Sequence, residues 1–142
     1  MLHLWHMQKE LILSNKLSEL DTLLDATEDF LASCDVPLAL QFKIKLALDE
    51  LFSNIVSYGY EPNVTDQVVV TLDVDNNVFS AILNDGGKPF NPLDVTDADT
   101  SLSAEDRPIG GLGIHLVRKI SRDMTYHRTQ DRNVLQFFVD LA

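Results

Sequence analysis

Two short stretches constrain this chain more than any others. "QVVVTLDV" (67–74) and "NVFSAILN" (77–84) are β-rich runs separated by Asp75-Asn76. Asn and Asp tolerate the positive φ that a tight reversal demands, so two such runs around that pair signal a hairpin. "DMTYHRT" (123–129) and "NVLQFFVDLA" (133–142) repeat the signal, with a turn at Gln130-Asp131. Two hairpins commit the chain to a largely antiparallel sheet, and its apolar face must be covered.

Helices upstream and between the hairpins supply the cover. "KELILS" (9–14) reads as a first strand. "NKLSELDTLLDATEDFLASC" (15–34) then places Leu17, Leu20, Leu24 and Leu31 near helical spacing, and Ser18 to Asp21 resembles a capping box. Asp35 and Pro37 open a second helix that runs to about Tyr58 and stops at Gly59. Its stripe of Ile44, Leu48, Leu51 and Ile55 faces a core. "GGLGIHLVRKIS" opens a third helix on a glycine cluster. Residues 91–109 hold five acidic residues and little apolar content, which reads as a loop with at most one helical turn. The order β-α-α-β-β-loop-α-β-β predicts an α+β sandwich, a mostly antiparallel sheet with helices on one face.

With 142 residues, the chain has the size of one ordinary domain, read as 1–142 without an internal linker. No apolar run approaches the roughly 20 residues that span a bilayer, and the start "MLHLWHMQKE" lacks the pattern of a secretory signal. Cys34 is the only cysteine, which excludes a disulfide framework and suits a reducing cytoplasmic interior. A formal net charge of −11 repels nucleic acid and free phosphates alike. Any ATP site would need a metal ion, a helix N-terminus or a few basic residues to offset that field. No arginine occurs before Arg107, and five occur from there onward.

Three segments carry polar groups that invite a ligand. In "LALDELFSNIVSYGY" (46–60), Glu50 and Asn54 are neighbours on one helix face, with Ala47 a turn earlier leaving room beside them. An amide oxygen is a good ligand for Mg²⁺, and a nearby carboxylate can accept a proton. An ordinary solvated face would have the same composition. In "NDGGKPF" (84–90), Asp85 ends a strand where it could accept a hydrogen bond from an amino group such as that of adenine. Gly86 and Gly87 would let a flat ring approach the backbone, and Pro89 and Phe90 would line the exit. A routine turn reads the same way. In "IGGLGIHLV" (109–117), Gly110, Gly111 and Gly113 would expose N–H groups at the positive end of a helix, a seat for phosphate. A simple hinge is the alternative. The Walker motif and the dinucleotide fingerprint are both absent. His3 and His6 lack the partners of a zinc site, and no G-x-S-x-G supports a hydrolase.

Taken in order, the three segments resemble the GHKL (Bergerat-fold) ATP-binding superfamily over nearly the whole chain. More narrowly, they are similar to the small anti-sigma factor serine/threonine kinases. That resemblance implies a two-layer α/β sandwich of the GHKL type, with ATP and Mg²⁺ as cofactors. Asn54 would hold the Mg²⁺. Glu50 would act as general base or orient the serine hydroxyl of a protein substrate, and Asp85 would bind the adenine amino group while Gly87 gives the ring space. The run Lys88, Pro89 and Phe90 would border the nucleotide, and Gly110, Gly111, Leu112 and Gly113 would meet the phosphates. The implied partners are a sigma factor, an anti-anti-sigma (STAS-type) protein that receives the phosphoryl group, and a second copy in a homodimer. A non-catalytic ATP-binding regulatory module is the alternative. Tyr58 stands where the pattern often has His, and the choice among Lys88, Arg107 and Arg118 as the phosphoryl-stabilising cation stays open.

Overall fold

The computed structural model describes residues 6–94 and 111–142, with Gly111, Leu112 and Gly113 described by their backbone alone. Strand β1 (His6–Ser14) leads through a single 3₁₀ turn, Leu17–Glu19, into helix α1 (Leu20–Ser33), followed by α2 (Leu38–Tyr58). The first hairpin is β2 (Gln67–Asp75) and β3 (Val78–Asp85). Then come α3 (Gly111–Ile120) and the second hairpin, β4 (Asp123–Thr129) and β5 (Arg132–Asp140).

The sheet order is β1-β2-β3-β5-β4. Every pairing among the described strands is antiparallel, the limiting case of the mostly antiparallel sheet expected from the hairpins. In β2 the alternate residues Val68, Val70, Leu72 and Val74 are buried, and in β5 so are Leu135, Phe137 and Val139. The three helices cover this one face. α2 lies in the middle of their layer, packed on both α1 and α3. Phe52, Phe79 and Phe137 are fully buried where the layers meet.

Several boundaries differ from the sequence reading, each for a physical reason. The Asp75-Asn76 turn sits one residue later, at Asn76-Asn77, which take φ of 51° and 61°. The left-handed pair is Asn-Asn because asparagine tolerates that region better than a strand residue does. Gln130-Asp131 adopt the same backbone, as the second hairpin signal implied. The Ser18–Asp21 capping box does not form. No side chain caps α1, and Glu19 instead accepts the backbone N–H of Ser14. Because α1 begins at Leu20, its buried face is Leu23, Thr27, Phe30 and Leu31, while Leu17 is exposed.

Asp35 closes α1 rather than opening α2. It takes φ of 57°, its N–H bonds the Ala32 carbonyl, and the Val36 N–H bonds Leu31. That is the Schellman arrangement, with buried Val36 supplying the usual apolar contact. Gly59 does end α2, but with φ of −81°, so a left-handed cap is not its role. A Cβ there would lie 2.5 Å from the Ile55 carbonyl oxygen.

Candidate functional site

Beyond Gly59 the chain makes way for the turn that leaves β3. The Lys88 N–H bonds the Gly59 carbonyl at 2.7 Å, so residues 86–88 dock onto the C-terminal end of α2. Close approach of two backbones demands glycine: a Cβ on Gly87 would meet Gly59 O at 2.7 Å and Asp85 Oδ1 at 2.9 Å. Gly87 therefore faces α2 and its own neighbour, and the ring space expected beside it lies elsewhere. The Gly86 N–H is held by both Tyr60 Oη (3.1 Å) and Asp66 Oδ2 (3.2 Å), and Tyr60 donates to the same carboxylate oxygen at 2.8 Å. Burial and the adjacent Asp66 push the Tyr60 hydroxyl pKa well up. Burial alone would raise Asp66 too. The Tyr60 hydroxyl, the Gln67 and Gly86 N–H groups and Arg132 together reverse that and hold its carboxyl below the usual range.

This docked turn and α2 enclose a cavity of about 220 Å³. Its wall on the helix side is Leu51, Asn54, Ile55 and Tyr58, and the turn contributes Asp85, Lys88, Pro89, Phe90 and Pro92. Tyr126, Asn133 and Leu135 close it from the second hairpin. Pockets that engulf whole drug-sized ligands run to roughly 300–1,000 Å³, so this one suits a flat heteroaromatic portion of a larger molecule. Its surface is mostly carbon, with two polar groups of particular interest.

The first is Asp85, buried at 4% exposure. Its Oδ1 accepts the Gly87 N–H (2.9 Å) and Asn133 Nδ2 (3.1 Å), while Oδ2 has no hydrogen bond among the described residues. Burial pushes its carboxyl above the usual range, and the Asn133 and Gly87 hydrogen bonds only partly offset that. A half-satisfied carboxylate beside an apolar cavity is an acceptor aimed at a ligand. The second is Asn54. Its amide nitrogen is buried without any hydrogen-bond partner among the described residues, and the side chain lines the cavity. An orphaned buried amide costs about 1–3 kcal/mol unless a ligand pairs it.

Asn133 organises the far wall. Its Nδ2 donates to Asp85 and to the Lys88 carbonyl (2.8 Å), and its Oδ1 accepts from Tyr126 Oη (2.6 Å), Arg128 (3.1 Å) and the Phe90 N–H (3.4 Å). The register pairs Asp85 directly with Asn133 across β3 and β5. Neither Asn133 nor Tyr126 was anticipated. The signal was present in "NVLQFFVD", where an asparagine occupies a core-facing position of an alternating strand.

Of the expected site residues, Asn54, Asp85, Lys88, Pro89 and Phe90 converge on this cavity. Glu50 is half-buried one turn before Asn54 and outside the cavity wall. Ala47 leaves no room for a ligand, since it is fully buried in the core. α3 starts at Gly111, so Gly111 and Gly113 lie within its first turn rather than before it. Gly110 lies outside the described residues, as do the side chain of Leu112 and all of 95–109. Among the cations left open, Lys88 pairs with Glu61 at 2.8 Å, and Arg118 donates to the carbonyls of Pro92 (3.0 Å) and Leu93 (2.6 Å). Arg107 is outside the described residues. No cluster of three His, Cys, Asp or Glu side chains that could hold a metal occurs among the described residues. A metal here would arrive with a ligand that supplies most of its oxygens, as Mg²⁺ does with phosphates.

Residues 13–138 match the histidine kinase-like ATPase domain family. The chain belongs to that family. Among curated proteins this histidine kinase-like ATPase domain is similar to the serine/threonine-protein kinase BtrW of Bordetella bronchiseptica. The two are 28% identical over 96 residues, covering 68% of each chain. Among solved structures it is similar to the RsbU and RsbW domains of a Mycobacterium tuberculosis protein, with a TM-score of 0.69 and 14% identity, over 95% of this chain and 32% of that one. The Acinetobacter baumannii histidine kinase AdeS superposes with a TM-score of 0.50 and 15% identity, over 94% of this chain and 68% of that one. At those identities the two structures speak for the fold, which is the GHKL-type α+β sandwich expected from the three segments. No helix among the described residues of this ATPase domain is long and apolar enough to cross a membrane.

Proposed function

We propose that residues 1–142 form one ATP-dependent protein serine/threonine kinase unit of the anti-sigma type. It would phosphorylate an anti-anti-sigma (STAS-type) protein and sequester a sigma factor. The observation that carries this reading is the presence, on one apolar cavity, of the open Asp85 Oδ2 and the buried, unpartnered Nδ2 of Asn54, an acceptor and a donor both turned to a ligand. The similarity to BtrW, named as a serine/threonine-protein kinase, supports the choice of acceptor.

In this reading Asp85 accepts a hydrogen bond from the exocyclic amine of adenine, and the cavity excludes water from the ring. Lys88, Pro89 and Phe90 border the base. The backbone at Gly111, Leu112 and Gly113, the first turn of α3, would offer N–H groups to the phosphates, and the positive end of the helix favours their charge. Asn54 would hold Mg²⁺, which when bound neutralises charge on the β- and γ-phosphates. Glu50 takes the proton of the incoming serine hydroxyl while its oxygen bonds to the γ-phosphorus. The bond to the β-phosphate oxygen breaks and ADP leaves. An acidic, single-cysteine chain with Cys34 buried and reduced suits the cytoplasm, without contact to nucleic acid or membrane.

The test mixes the protein with Mg-ATP and a protein of the anti-anti-sigma class, and reads phosphoserine by mass. Glu50→Ala should bind ATP as wild type does and transfer at least roughly a hundredfold more slowly, as expected for loss of a general base. Transfer at the wild-type rate would remove Glu50 from the chemistry. ATP binding without phosphoserine in the wild type would instead make the chain a regulatory binding module.

A further inference from the structure

α2 carries an apolar surface that neither the core nor the cavity uses. Leu38, Phe42 and Leu46 are 79%, 64% and 37% exposed, and they recur every fourth residue. At 3.6 residues per turn the three fall within about 80° of the helix surface. The buried residues Gln41, Ile44, Leu48 and Leu51 occupy the opposite side. A covering helix normally turns a polar face to water. This one, in the middle of its layer, presents three large side chains in a row, which marks a contact surface.

The charge around the stripe states what kind of partner fits. Between Lys16 and Lys88 the only basic residues are Lys43 and Lys45, and both border this stripe. Lys45 is engaged by Glu28 at 3.5 Å, while Lys43 has no ion pair among the described residues. The first turn of α2 holds no acidic residue and no side-chain cap, so its positive end is uncompensated by its own side chains. On a chain of net charge −11 this is a local exception.

We propose that the N-terminal half of α2 is a docking surface for an acidic amphipathic helix of a partner protein. The partner's apolar residues would rest on Leu38, Phe42 and Leu46, and its carboxylates on Lys43 and the first turn of α2. The proposal rests on the stripe and its charge alone and goes beyond the kinase reading.

The probe is a fluorescently labelled synthetic helix with leucines at every fourth position flanked by glutamates, titrated by anisotropy. Saturable binding is expected to the wild type. Phe42→Ser and Leu38→Ser should each weaken it at least roughly tenfold, the loss typical of a central interface side chain. Lys43→Glu should weaken it as well, and so should replacing the peptide's glutamates by lysines. Thermal unfolding and ATP affinity of all three variants should match wild type, because the replaced groups are exposed and outside the cavity. Failure of the glutamate helix to bind, equal affinity for Phe42→Ser, or equal affinity for the lysine helix would each overturn the proposal. So would sedimentation showing a wild-type dimer that Phe42→Ser dissociates, since the stripe would then be covered by a second copy.

Discussion

Replacing Asn54 by leucine should stabilise the protein and abolish its response to nucleotide. The two side chains share the same branched heavy-atom skeleton, and the position is walled by Leu51 and Ile55, so leucine adds no foreign chemistry to the cavity. The wild-type amide nitrogen is buried and unpaired. Removing such a group recovers about 1–3 kcal/mol, and leucine in place of asparagine adds a few tenths of a kcal/mol of helix propensity. A net gain of about 1–2 kcal/mol corresponds to a Tm higher by about 3–8 °C for a domain of this size. Calorimetry with and without Mg-ATP tests both halves. At a concentration about 100 times its Kd, a ligand adds about 2.7 kcal/mol to the wild type, enough to reverse the order of the two curves. A nucleotide-free variant that melts below wild type would show that the amide is paired in solution. A variant stabilised by Mg-ATP as much as wild type would remove Asn54 from the site.

Four further variants probe the turn after β3 and its supports. Asp85→Asn should lose most nucleotide affinity by titration calorimetry. Because burial raises the Asp85 pKa, its contribution to stability is full below the unfolded value and is lost as pH rises through the folded one. The variant's melting temperature should therefore gain on wild type from pH 3 toward neutrality, and a constant difference across that window would contradict the burial argument. Gly87→Ala should cost about 1–3 kcal/mol by denaturant unfolding, because its Cβ meets the Gly59 backbone. Gly86→Ala should cost less, since the atoms in its way belong to the side chains of Asp66 and Arg132; the reverse order would refute the contact analysis. Tyr60→Phe removes the hydroxyl that bridges Asp66 and Gly86 and should destabilise by about 1 kcal/mol. Its ATP affinity should also fall, measurably by titration, and unchanged affinity would sever the link between this bridge and Asp85.

Much of the fold could be read directly because its signals are local. Hairpin turns, a 3.6-residue stripe in α2 and a glycine-led helix each depend on neighbours in sequence. The sites of error were those where a distant partner decides. Asp35 looks like a helix opener until the Schellman bonds to Leu31 and Ala32 are seen. Gly87 looks like ring space until the α2 carbonyl beneath it is placed. In α1, Leu31 and Leu20 do face the core, but Leu17 lies in the 3₁₀ turn before the helix and is exposed, and Leu23 rather than Leu24 is fully buried. Asn54 and Asp85 could be singled out from sequence because their cost is visible one residue type at a time, and the structure places both on one cavity. Asn133 was not, since its role exists only once β5 lies beside β3.

That last pairing has a consequence for how the protein matures. Asp85 and Asn133 are 48 residues apart and meet only on the rung where the two central strands close. An unfinished sheet lacking β5 would have the aspartate but no amide to orient it, and therefore an incomplete cavity wall. Ligand capture would thus report completion of a closure between residues 48 apart in sequence, and nucleotide present during folding would act as a latch on that step.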